Sequence, residues 1–172
     1  VFCLVWGFGG AFISLALSRV MAKWGMGVKL VAPGTPDPGL QELVSSGSQQ
    51  LVDRTRERWG RIDVLVCNAA VNPVYGPSRD VSDEAFDKIM GCNVRSNHWL
   101  AHMVLPEMAE RRDGVLIVVS SIGGFKASTV IGTYNISKAA DFALVRNLAA
   151  EYGPHNVRVN AIAPGLIRTD FA

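Results

Sequence analysis

Short apolar runs alternate along this chain with longer segments whose apolar residues recur at helical spacing. Runs at residues 2–6, 28–32, 62–67, 115–120 and 157–162 are five or six residues long, dominated by Val, Ile and Leu, and each leads into a turn containing Gly, Pro, Asn or Ser. Near-continuous apolar runs of that length predict strands covered on both faces, as in a parallel sheet. Residues 12–24, with apolar side chains at 12, 13, 15, 16, 17, 20, 21 and 24, predict a helix packed on such a sheet. Residues 49–59 predict another, with Leu51, Val52 and Thr55 on one side, and residues 40–44 a helical stub before it. A long helix is expected over residues 83–111 with Ser82 as its N-cap, and one over 134–152 that stops at Gly153-Pro154. Strands alternating with helices imply an α/β fold, a Rossmann-like doubly wound parallel sheet forming one domain over residues 1–172. Only 29 residues separate Ala32 from Ile62. A strand with flanking helices needs about 30 or more, so a third strand is expected to be short or absent.

At 172 residues with 49% hydrophobic content, the chain is long enough to bury one core. A net charge of +2 gives no reason to invoke nucleic acid or an acidic membrane surface. Arg54, Arg56, Arg58 and Arg61, interleaved with Glu57, read as a solvated helix face. Cys3, Cys67 and Cys92 are odd in number and widely spaced, which suits buried thiols in a reducing compartment, the cytoplasm, better than disulfides. His98 and His102 are spaced like ligands of some helical zinc sites, but no glutamate follows the first, and no metal is expected. Residues 1–18 carry no charge, which is compatible with a short membrane span or a signal segment. Gly7, Gly9 and Gly10 interrupt the run, it has no basic start, and Arg19 and Lys23 follow at once. The reading taken is a strand and a glycine turn, with no membrane partner.

The candidate chemistry lies between Ser121 and Lys138. Ser121 ends an apolar run, Tyr134 follows thirteen residues later, and Lys138 comes four after that. On a helix Tyr134 and Lys138 share a face one turn apart, so an ammonium beside the phenol would favour phenolate and fit Tyr134 for proton transfer. Ser121 would polarise a substrate oxygen. Taken singly, each residue is an ordinary strand-end or surface residue.

Together, Ser121 and Y-x-x-x-K resemble the active-site signature of the short-chain dehydrogenase/reductase family. Asn68-Ala69-Ala70, Asn93 and the run from Arg158 to Asp170 occur in that family's order around it. The resemblance covers residues 60–172, and implies an NAD(P)-dependent oxidoreductase interconverting an alcohol and a ketone or aldehyde. By resemblance, Ser121, Tyr134, Lys138 and Asn93 are catalytic, Asn93 supporting a proton relay to Lys138. Gly7, Gly9, Asn68, Ala69, Ala70, Tyr134, Lys138, Pro164, Gly165, Ile167 and Thr169 border the cofactor. The choice between NAD and NADP stays open. A homodimer or homotetramer through the helices at 83–111 and 134–152 is also implied, with a small carbonyl or alcohol as substrate. Family members continue past the position of Ala172 through a substrate lid and a last strand.

The first 59 residues fit less well. A dinucleotide fingerprint wants glycine where Phe12 stands, and the family's own glycine motif wants Thr at Trp6 and glycines at Ala11 and Ile13. A β-branched side chain at 13 adds bulk where backbone approaches phosphate. The alternative is a non-catalytic remnant of the family that no longer binds nucleotide well.

Overall fold

The structure is a computed structural model that describes residues 39–167, with side chains from residue 47 onward. The strands expected at 2–6 and 28–32, the helix at 12–24, Cys3, Gly7, Gly9 and Thr169 lie outside the described residues. Everything described belongs to one compact unit that opens at Pro38. Its elements are α1 (Gly39–Trp59), β1 (Val64–Cys67), α2 (Asp83–Met90), α3 (Ser96–Glu110), β2 (Gly114–Val119), α4 (Gly132–Tyr152) and β3 (Val157–Ile162). The three strands form a Rossmann-like parallel sheet in the order β1-β2-β3, with Val64 opposite Val115 and Gly114 opposite Val157. Parallel pairing requires crossovers, which the helices supply.

The core follows from which side chains these elements turn inward. Leu116 and Val118 of β2 and Val157 and Val159 of β3 meet Ala101, Val104, Leu105 and Met108 of α3 and Val145 and Leu148 of α4. Val52 joins the same cluster from α1, which packs on α3. Arg56 departs from the solvated face expected of it. Its guanidinium reaches the Met103 carbonyl (2.7 Å) and the Glu107 carboxylate (2.7 Å), tying α1 to α3. Arg61 instead stays exposed and pairs with Asp63.

Three local outcomes differ from the pattern-based expectation. Residues 39–59 form one helix rather than a stub and a shorter helix, even though Gly47 lies inside it. A single interior glycine costs only about 1 kcal/mol, which propagation over five turns absorbs. The helix ends at Gly60, whose φ of 79° is open to glycine and strained for other residues. Strand β1 is not buried throughout: Val64 and Val66 are exposed, because β1 is the edge of the described sheet. The long helix at 83–111 is interrupted by a π-helical turn, Gly91–Arg95, with Asn93 fully buried inside it. Ser82 caps this helix as expected, its hydroxyl accepting from the Ala85 amide at 3.3 Å.

Candidate active site

Because the strands are parallel, the loops that follow β1, β2 and β3 all emerge at one edge of the sheet, where ligands bind in open α/β folds. Asn68 and Ala69 lie exposed just after β1 and Ala70 is half-buried. Pro164, Gly165 and Ile167 follow β3, and the Ile122 amide donates to the Pro164 carbonyl at 3.0 Å, joining the loops after β2 and β3. Ser121 ends β2 and its hydroxyl accepts from the Gly123 amide at 3.0 Å. Its neighbour Ser120 donates to the Lys138 carbonyl at 2.8 Å, which clamps the strand end to α4.

Tyr134 stands in the first turn of α4, half-buried, with the Ser121 hydroxyl on the phenol's side of the strand end, near enough to influence its ionisation. Burial pushes the phenol above its ordinary value, the Ser121 hydroxyl pulls it back, and the Asp141 and Tyr75 charges push it up again. Lys138 lies one turn further along, its ammonium 5.7 Å from the centre of the Tyr134 ring. The residues that spacing alone paired are therefore together in space. What spacing did not reveal is where the ammonium points. It donates to the Val119 carbonyl at 3.0 Å and the Asp141 carboxylate at 3.2 Å, with Lys138 only 1% exposed.

Asn93 anchors a buried polar chain. Its side-chain amide accepts from the Val71 amide (2.8 Å) and donates to the Val71 carbonyl (3.0 Å) and the Ser137 hydroxyl (2.9 Å), which in turn donates to the Tyr134 carbonyl (2.7 Å). Thus the turn after β1 is held against the start of α4 by one side chain. Just past the π turn, the Asn97 side chain donates to the Asn93 carbonyl at 2.6 Å and to Asp141 at 3.0 Å. Ser120, Ser137, Asn97 and Asp141 all escaped the sequence reading. Two signals point to them: Asn97 is one helical turn from Asn93, and Asp141 is an acid among Ala139, Ala140, Phe142 and Ala143.

Residues 44–172 match the family described as short chain dehydrogenase. The chain belongs to that family. It is 43% identical over 124 residues to dehydrogenase/reductase SDR family member 4 of Mus musculus and 44% identical over 124 residues to the human mitochondrial dehydrogenase/reductase SDR family member 2. In both cases the match takes in 72% of this chain and 44% of the relative, so the chain spans less than half the length of these curated relatives. Among solved structures, a levodione reductase superposes with a TM-score of 0.71 at 34% identity, covering 74% of this chain and 50% of that one. A xylitol dehydrogenase with NAD+ bound superposes with a TM-score of 0.70 at 28% identity, covering 74% of this chain and 49% of that one. Short-chain dehydrogenases as a family bind NAD(P). Of the two groups that would hold the nicotinamide ribose of such a cofactor, the Tyr134 phenol lies half-buried beside the strand-end loops, whereas the Lys138 ammonium is turned inward to the Val119 carbonyl and the Asp141 carboxylate.

The short-chain dehydrogenase site depends on how closely the loop after β2 approaches α4. At Gly124 an added Cβ would lie 2.9 Å from the Lys138 carbonyl and also meet the Phe142 ring, which stacks on Phe125 at 4.2 Å. A backbone carbonyl cannot give way as a flexible side chain does. Gly124→Ala is expected to cost about 1–3 kcal/mol of stability and to lift the Ser121 loop from Tyr134, lowering turnover more than tenfold. Thermal unfolding and steady-state kinetics on the variant check this.

Proposed function

We infer that the chain is an NAD(P)-dependent oxidoreductase interconverting an alcohol and a ketone or aldehyde, with Tyr134 as the group that gives and takes the proton. The observation that carries this reading is the Lys138 ammonium 5.7 Å from the Tyr134 ring in the first turns of α4, beside the end of β2 that carries Ser121. Bound NAD(P) would supply or accept the hydride. Ser121 and Tyr134 would both hydrogen-bond the substrate oxygen, one orienting it and the other exchanging its proton. Lys138 would reach the nicotinamide ribose by swinging its ammonium out from the Val119 carbonyl and the Asp141 carboxylate, and the Asn68, Ala69 and Ala70 turn, next to the Val71 backbone that Asn93 holds, would border the cofactor with Pro164, Gly165 and Ile167. The neighbouring structures' names, a levodione reductase and a xylitol dehydrogenase, fit a carbonyl or alcohol substrate.

The raised phenol gives the pH dependence a sign. Below its raised value Tyr134 holds its proton and can act as an acid, so carbonyl reduction is expected to run at neutral pH and fall as pH climbs through that value. Alcohol oxidation needs phenolate and is expected to rise with pH over the same range. Titration of the full chain with NADH and NADPH, followed by turnover of small ketones and alcohols across pH, tests both points. Saturable binding below millimolar and opposite pH trends in the two directions support the reading; no binding of either nucleotide rejects it.

Self-association is part of the same reading. On α4, Ile136, Ala139 and Ala143 form an exposed stripe of mostly small residues that continues through Arg146 and Asn147 to Ala150, a face offered to a second copy in a homodimer or homotetramer.

A further inference from the structure

We propose that Asp141 is a positioning residue of the Tyr134–Lys138 pair: its carboxylate holds the Lys138 ammonium inside the protein and offsets that ammonium's charge at the phenol. The proposal rests on the proton-transfer role given to Tyr134 above, but its test does not require turnover.

The geometry leaves the ammonium few alternatives. Lys138 and Asp141 are 1% and 0% exposed, and among the described residues the hydrogen-bond partners of the Lys138 nitrogen are the Val119 carbonyl and the Asp141 carboxylate. A buried ammonium without a counter-charge is costly, so the carboxylate is what makes this orientation affordable. Asp141 is itself fixed from the other side, since its second oxygen accepts from Asn97, whose amide also donates to the Asn93 carbonyl in the π turn. The lysine is therefore tied, through two side chains, to the irregular turn that carries Asn93.

The electrical consequence follows from position. A lone ammonium beside the phenol would favour phenolate, whereas an ammonium paired with a carboxylate presents a nearly neutral unit. The groups around Asp141 bear this out. On α4 it faces Lys138 and Tyr134, on α3 the uncharged Asn97, and from β1 the Cys67 thiol, which burial and then the Asp141 charge push up to about 12. The same carboxylate opposes ionisation of Tyr134. No other charged group in this set takes over its role.

The test is a pH titration of the Tyr134 phenolate by near-ultraviolet absorbance, isolated by subtracting the same measurement on a Tyr134→Phe version of each protein. Asp141→Asn keeps the shape and removes the charge. Its phenol is expected to titrate about half a unit to one unit lower than wild type, and adding Lys138→Met should abolish that drop. Asp141→Glu, which restores a carboxylate, should move the midpoint back toward wild type, which a purely structural role for the residue would not predict. Equal midpoints in wild type and Asp141→Asn overturn the proposal. Should Asp141→Asn fail to fold, Lys138→Met and Lys138→Met/Asp141→Leu carry the same comparison, with a lower midpoint expected in the double variant and equality again overturning it. Failure to bind nucleotide would reject the oxidoreductase reading while leaving this titration intact.

Discussion

Replacing Tyr134 with phenylalanine is expected to lower turnover by roughly 10²–10⁴-fold, the usual worth of a positioned acid or base, while changing nucleotide affinity little. The substitution deletes one oxygen. The ring keeps its place in the first turn of α4 and its face toward the Lys138 ammonium, 5.7 Å away. What disappears is the half-buried phenol hydroxyl, and with it the influence of Ser121 on its ionisation. A loss confined to kcat, with thermal stability and nucleotide binding near wild type, is therefore the signature of a proton-transfer group. A variant that turns over like wild type would remove Tyr134 from the chemistry, and with it the assignment of Ser121.

The site was legible in the sequence to the extent that chemistry is encoded in spacing. Y-x-x-x-K on a helix after a serine at a strand end needs only one register to bring its residues near one another, and the structure places the Lys138 ammonium 5.7 Å from the Tyr134 ring on the helix that follows Ser121. Strand positions follow from the same kind of pattern: buried parallel strands read as apolar runs, and β2 and β3 lie within a residue of the expected limits. Features set by one long-range partner were not legible. Asn93 was readable through the family resemblance, but not the π turn around it, because a turn with one extra residue leaves no periodic trace over five positions. The direction of the Lys138 side chain depends on Asp141, three residues on, which periodicity treats as one more polar position on an alanine-rich helix. Arg56 looked solvated for the same reason, since nothing local announces the Met103 carbonyl 47 residues away. The exposure of Val64 and Val66 could not be read either, because an apolar run does not say which strand lies at the edge.

The second large effect concerns stability and separates the cost of the charge pair from its use. Lys138→Met leaves the Asp141 carboxylate buried with Asn97 as its remaining partner, and breaking a buried pair from one side costs about 3–5 kcal/mol. Lys138→Met/Asp141→Leu removes both charges and fills the space with apolar atoms. It is expected to be as stable as wild type or more so, by up to about 1–4 kcal/mol, since desolvating two ions is seldom recovered in full. The direction of the Asp141 shift agrees: desolvation raises its carboxyl more than the Lys138 charge and the Asn97 hydrogen bond lower it. A carboxyl whose folded value is raised contributes stability at low pH and loses it as pH rises through that value. With Lys138 gone this opposition grows, so the defect of Lys138→Met should shrink on acidification, whereas the double variant should show no such recovery. Denaturant unfolding of the three proteins at neutral and mildly acidic pH measures this directly. A double variant as unstable as the single one would mean the pair holds the fold together; a stable double variant without turnover would mean that the short-chain dehydrogenase site keeps two buried charges at a net cost to its own stability because the phenol needs them.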